Sequence, residues 1–192
     1  MHNINGIKMK LLIKSMTIVA IWGAMAVSAF AMNNTGNIKF SGKVTKGTCS
    51  TAVASGNGNV NMPDVGVGDF KNVGDAKGDT DFDILLSKCS VQSKNSSSVK
   101  VKFTGSTDGD NAKVLKNIAA DTPAAGVGIG IYKKKDNSLI QIGNVPVEVD
   151  TLTSGETTKA LKFIAKYVAT KTPANITSGP VQAYAGFTVE YN

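Results

Sequence analysis

An all-β sandwich is the fold class this chain predicts, on three observations. Apolar side chains recur at every second position in several separate stretches, the period of a strand with one buried face. These stretches are short and divided by Gly, Ser, Asn and Asp, the residues of turns. Two cysteines, Cys49 and Cys89, follow a segment that reads as an export signal. An even cysteine count in an oxidising compartment implies one disulfide, a staple common in small secreted β domains.

The export signal occupies residues 1–31. Lys8, Lys10 and Lys14 form a basic opening, Met16 to Val27 is an apolar run, and Ala29-Phe30-Ala31 has the small-residue pattern of a cleavage site. The apolar run falls short of the roughly 20 residues that a membrane-spanning helix needs. Met9 is a second candidate initiator, because Met9-Lys10 opens a more usual signal than Met1-His2. Cleavage would leave a chain beginning at Met32, 161 residues long and of single-domain size. A domain of that length buries about 70% of its unfolded surface.

The strands follow in order. Ile38, Phe40, Gly42 and Val44 share one parity ahead of Cys49. Phe82, Ile84 and Leu86 alternate just before Cys89. After a Ser-rich turn at Ser96 to Ser98 come Val99, Val101 and Phe103. Lys113 to Ala119 is ambiguous: Val114, Leu115 and Ile118 also fit one or two helical turns. Val127, Ile129 and Ile131 alternate with glycines. In Leu161, Phe163, Ala165 and Tyr167 the period of two prevails over a helical alternative. From Val181 to Tyr191 the odd positions are Val181, Ala183, Ala185, Phe187, Val189 and Tyr191, which predicts one long terminal strand.

Composition removes most catalytic chemistry. The single His (His2) and the single Trp (Trp22) both lie in the signal. The exported chain would therefore lack histidine for acid–base, nucleophile-activating or metal-binding roles. All 21 basic residues are lysine, so bidentate arginine recognition of phosphate or guanine is absent. After cleavage 18 lysines face 14 acids, a formal charge of +4 with the lysines scattered. Lys133-Lys134-Lys135 precedes Asp136-Asn137-Ser138 and reads as a solvated turn, not a nucleic-acid patch.

Other constellations have structural readings. Gly126-Val127-Gly128-Ile129-Gly130 has neither phosphate-loop spacing nor a following helix, and its glycines suit close approach of a neighbour. Asp79-Thr80-Asp81-Phe82-Asp83 looks like the wet face of a strand, and Asp108-Gly109-Asp110 like a turn. In neither are the glycine and distal glutamate of a helix–loop–helix calcium site correctly placed. No metal and no cofactor is expected. A carboxylate-pair hydrolase is a weak rival, since the exported chain has no Trp to stack on a sugar.

What survives is a polymeric pattern. Residues 32–44 form an extended, alternating arm. The terminal strand has an apolar face and, on this reading, a neighbour on one side only. A long apolar edge tends to pair with another chain. Addition of a neighbour's arm as a strand would satisfy both halves. Because the two surfaces differ, the contact need not close on itself and would give a filament.

These residues resemble a chaperone–usher fimbrial subunit of the type 1 fimbrial major pilin family. Ile38-Lys39-Phe40-Ser41-Gly42-Lys43-Val44 followed by Cys49 is similar to that family's donor arm and first strand. Phe82 to Cys89, Ala125 to Ile129 and Leu161 to Tyr167 are similar to further family strands. Gly179, fourteenth from the end, and Tyr191, penultimate, match its chaperone-recognition strand. Met62-Pro63 departs from the usual Leu-Gly, which bears on one turn.

The resemblance implies an incomplete immunoglobulin-like sandwich lacking its final strand. Residues 1–31 would be the signal, 32–44 the donor arm and 45–192 the pilin domain. Ile38, Phe40, Gly42 and Val44 would form the donor face. Gly179, Ala183, Ala185, Phe187, Val189 and Tyr191 would form the acceptor groove and chaperone contact. The implied partners are related pilin subunits, a periplasmic chaperone and an outer-membrane usher, with no nucleic acid and an unassigned host receptor. The implied location is a cell-surface fimbria reached through the periplasm. A minor tip or adaptor pilin, or a small carbohydrate-binding sandwich, is the alternative.

Overall fold

The computed structural model describes residues 49–54, 58–90 and 96–191. Its strands are β1 (Ser50–Val53), β2 (Ala76–Ser87), β3 (Ser97–Thr104), β4 (Leu115–Lys116), β5 (Val127–Lys133), β6 (Leu139–Ile140), β7 (Val147–Leu152), β8 (Lys159–Ala169) and β9 (Gly186–Tyr191). The first sheet has the spatial order β1-β2-β8-β5-β4, with β6 also paired to β5. The second has the order β7-β3-β9. All neighbours are antiparallel. The two sheets enclose one main core, giving an all-β, immunoglobulin-like sandwich.

The alternation seen in the sequence sets which face is inside. Phe82, Ile84 and Leu86 of β2 are buried, while Asp81 before them and Leu85 between the last two are exposed and Asp83 is half-buried. Val99, Val101 and Phe103 of β3 are buried in the same manner. At the centre, Phe163 of β8 is completely buried. Its ring stacks on Phe82 at 5.4 Å and meets Phe103 edge-on at 5.3 Å. Phe82 is its cross-strand neighbour, whereas Phe103 comes from the opposite sheet. Such aromatic contacts add about 0.5–1.5 kcal/mol each beyond area burial, so this trio helps fix how the layers sit.

β8 lies between β2 and β5, and both of its faces are covered. Ile164 and Val168 are buried on the face away from Phe163, and so is Lys166. A buried ammonium needs compensation. Lys166 has it: Nζ lies 2.8 Å from an Asp79 carboxylate oxygen and 5.0 Å from the centre of the Tyr132 ring. Asp81 receives Lys134 Nζ at 2.7 Å on both oxygens. The acidic run is thus the polar outer face of a strand, as its alternation predicts.

The glycine run also has its structural explanation. A Cβ at Gly128 would lie 2.6 Å from the Leu115 carbonyl and 2.8 Å from a Val114 methyl. Only glycine lets β4 approach β5 this closely. That approach also resolves the ambiguity at Lys113 to Ala119. Leu115 and Lys116 pair with Ile129 and Gly128, so strand pairing prevails over the helical option. Lys133–Asp136 closes the lysine-rich turn at 3.0 Å, with Asn137 in the left-handed region. Hydrogen bonds from Ser138, then Lys133, hold the Asp136 carboxyl down at about 2.

Cys49 and Cys89 form the disulfide, closing a separation of 40 residues. Cys89 is buried, and its N–H donates to the Thr157 carbonyl at 3.0 Å. The bond ties the chain ahead of β1 to the end of β2. A double Cys49→Ser, Cys89→Ser variant will lose about 4 kcal/mol of unfolding free energy on the chain-entropy account. Urea titration of both forms measures it, and a loss below about 1 kcal/mol would show the staple to be dispensable.

The terminal run differs from its expectation. A single strand over Val181 to Tyr191 is predicted, but β9 begins at Gly186. Residues 177–182 are bonded instead to 117–125, beyond β4 at the edge of the first sheet. The chain crosses from one sheet to the other between Gln182 and Gly186. Alternation persisted across the crossing because both halves face the same interior.

Candidate groove between the sheets

Between the layers lies a cleft of about 470 Å³. Phe82, Ile84, Ile129, Ile131 and Ala165 supply the first sheet's side of it. Phe103 and Phe187 supply the second sheet's side, and the crossing residues Val181 to Ala185 run along it. Among the described residues, no lining side chain carries a charge. Polar atoms come from backbone, from Asn59, Asn61 and Gln182, and from the phenols of Tyr167 and Tyr184. Burial raises the Tyr167 phenol above its ordinary pKa, with a smaller contribution from Asp64. An uncharged lining rich in apolar side chains accepts apolar side chains from an occupant.

β9 forms one wall and, among the described residues, lies at the edge of its sheet. Its register with β3 pairs Phe187 with Phe103, Val189 with Val101, and Tyr191 with Val99. Phe187, Val189 and Tyr191 are each half-buried against the main core. Thr188 and Glu190 point to solvent. Burial pushes the Tyr191 phenol up as well. Among the described residues, β9 pairs with β3 alone.

The residues expected to form the groove are not all in one place. Ala183, Ala185 and Phe187 line the cleft. Val189 and Tyr191 continue the same wall and pack on the core without lining that cavity. Gly179 is elsewhere: a Cβ there would press on the Thr122 carbonyl and lie 2.6 Å from the Ala124 nitrogen. Gly179 therefore serves the close approach of two loops rather than the groove surface. The expected donor residues Ile38, Phe40, Gly42 and Val44, and the signal at 1–31, lie outside the described residues.

Some groove residues were not foreseen. Val60 and Met62 share a parity and pack against the core from the segment before β2. That two-residue spacing was a usable signal, masked by the surrounding Asn, Gly and Pro. Leu115, first of the short β4, lines the cleft although its neighbourhood suggested a helix. Asn117 gave no signal at all, since its importance lies in hydrogen bonds to distant backbone.

Comparison with known proteins agrees with this architecture. The family model described as "Fimbrial protein" matches residues 38–192. Long polar fimbria protein A of Salmonella typhimurium is 34% identical over 168 residues, covering 87% of this chain and 90% of that protein. The probable major fimbrial subunit LpfA of Escherichia coli O157:H7 is 30% identical, covering 95% and 97%. The crystal structure of the P pilus rod subunit PapA superposes with a TM-score of 0.58, covering 75% of this chain and 99% of that chain, at 20% identity. At that identity the superposition speaks for the fold, and the sequence matches carry the family. The chain belongs to the fimbrial protein family, as a structural subunit and not an enzyme.

Proposed function

We propose that this subunit polymerises by donor-strand complementation, the arm at residues 32–44 of one copy entering the cleft of the next. The observation that carries the reading is an uncharged cleft beside β9, an edge strand paired on one side among the described residues. The arm suits it chemically. Ile38, Phe40, Gly42 and Val44 share one face, while Lys39, Ser41 and Lys43 fall on the other. The apolar face enters the cleft and the lysines stay in water. Ile38, Phe40 and Val44 would contribute roughly 1.5–3 kcal/mol each, before the cost of ordering the arm. Gly42 would pass where the groove is shallow.

On this reading residues 1–31 direct export, 32–44 are the arm and 45–192 the pilin domain. A periplasmic chaperone lends a strand to the free subunit, and an outer-membrane usher exchanges it for the next arm. The product is a surface fimbria supporting adhesion. The name of the E. coli relative, a probable major subunit, favours a repeated place in the fibre over a minor tip position.

The test is to supply the strand within one chain. A copy of residues 32–46, joined through a flexible linker after Asn192, will occupy the chain's own cleft. The product will accumulate in the periplasm as a monomer without a chaperone and melt higher than the unmodified subunit. Equal melting temperatures, read by circular dichroism, would refute strand donation into this cleft.

A further inference from the structure

We infer that Asn117 is the positioning residue that sets where the chain crosses between sheets, and through that crossing controls admission of a strand into the cleft. Resting on the donor-strand reading, this names the group that holds one wall of the acceptor in place.

Asn117 follows β4, and its carboxamide is fully engaged. Nδ2 donates to the Ala124 carbonyl at 2.9 Å and to the Pro180 carbonyl at 3.0 Å. Oδ1 accepts from the N–H groups of Ala119 and Gln182, each at 3.0 Å. Two donors and two acceptor positions are all that a carboxamide has. The two oxygen contacts are both backbone N–H donors and the two nitrogen contacts are both carbonyls, so the amide has one consistent orientation.

Backbone bonds reinforce the same junction. Ile118 N–H donates to the Gln182 carbonyl at 2.8 Å, and Ala124 N–H to the Pro180 carbonyl at 3.1 Å. Thr177 Oγ1 accepts from Ala125 N–H at 2.9 Å, and Thr177 N–H donates to the Ala125 carbonyl at 3.2 Å. Residues 177–182 are thus stitched to the first sheet's edge. Four residues after Gln182, Gly186 is already paired with Thr104 in the second sheet.

The stretch between them, Ala183 to Ala185, belongs to no strand, and no backbone hydrogen bond of theirs to another described residue is present. All three line the cleft. Gly105 packs on the middle of this stretch at the Tyr184 carbonyl, and its hydrogen-bonded anchors are at its two ends, β9 on one side and the Asn117 junction on the other. Loosening the junction lets the crossing move into or away from the cleft. An incoming strand must then order this wall as it binds, a cost the anchored protein has already met.

The closing experiment uses the full exported chain and a synthetic peptide of residues 32–46. Asn117→Asp preserves shape and both acceptor contacts, but loses the two N–H donors and sets a carboxylate against two carbonyls. Hydrogen exchange will rise at the Ile118 and Gln182 amides and stay unchanged in β3 and β9. Peptide affinity will fall on the order of tenfold, as for one net hydrogen bond. Thr177→Val, a milder lesion of the same junction, will shift both readouts less and in the same direction, which keeps the test alive if the first variant does not fold.

Position is separated from general weakening by peptides with Ile38→Ala, Phe40→Ala or Val44→Ala. In Asn117→Asp the penalty will shrink for the one terminal position that meets the crossing, and hold for the others. Unchanged affinity with faster exchange, or penalties that all shrink together with faster exchange in β3 and β9, would overturn the inference. No binding of the peptide to the unmodified chain would refute strand donation itself, and admission control with it, whatever exchange shows at Gln182.

Discussion

Deleting residues 32–40 will give a subunit that folds, is exported and binds the proposed chaperone, yet cannot be added to the next copy. The deletion removes Ile38 and Phe40 from the proposed donor face but leaves β1 to β9 and the disulfide intact. Two apolar insertions of roughly 1.5–3 kcal/mol each would be lost. The backbone ladder accompanying them goes too. A deficit of that size amounts to several powers of ten in subunit–subunit affinity. Electron microscopy of cells and immunoblots of heat-shed fibres would show no polymer, while periplasmic subunit persists. Full-length fibres from the deleted chain would end the donor role of this arm.

Truncation from Phe187 to Asn192 attacks the other half of the contact, with a different expected failure. It removes the pairing of Phe187, Val189 and Tyr191 with Phe103, Val101 and Val99. The β3 partners are at present 0–3% exposed, so one edge of the core would open to water. Because the lost side chains are only half-buried, the direct cost is about 3–6 kcal/mol. That approaches the whole margin of an ordinary domain. The truncated chain will therefore fail to accumulate in the periplasm and will not be retained by a chaperone. Normal yield of a folded monomer would mean that β9 is neither a needed wall nor a recognition strand.

The contrast between the two variants separates the roles of the chain ends. An arm that serves another copy can be lost without harm to its own domain. A strand that forms the acceptor wall cannot. If both deletions destroyed the folded subunit, the arm would belong to its own sandwich, and the fibre would need another explanation.

How far these features were legible in the residues depends on the range of the forces behind them. Burial of Phe82, Ile84 and Leu86, of Val99, Val101 and Phe103, and of Leu161, Phe163 and Ala165 follows from alternation alone. A period of two places side chains on opposite faces whatever the partner strand turns out to be. Asp81 and Asp83 read correctly as an outer face for the same reason. The Cys49–Cys89 bond was accessible because two cysteines allow a single intramolecular pairing.

The groove was less accessible. Alternation from Val181 to Tyr191 reported one interior face but concealed a change of sheet, because neither half had to turn that face away. β4 was ambiguous because Val114 and Leu115 are both buried, and two adjacent buried residues satisfy a helical pattern as well as a strand edge. Gly179 fitted a terminal motif by its place in the chain, whereas its tight contact is with the Thr122–Ala124 loop.

By itself, then, the order of residues determined the class of fold, the faces of its principal strands, the covalent staple and the lack of any histidine after His2. Each is a local property or a count. Tertiary structure decided where β9 starts, which strands border the cleft and why Asn117 matters. Those depend on hydrogen bonds such as Gln182 N–H to Asn117 Oδ1, across 65 residues of chain, and a polar side chain carries no mark of the distant backbone it will hold.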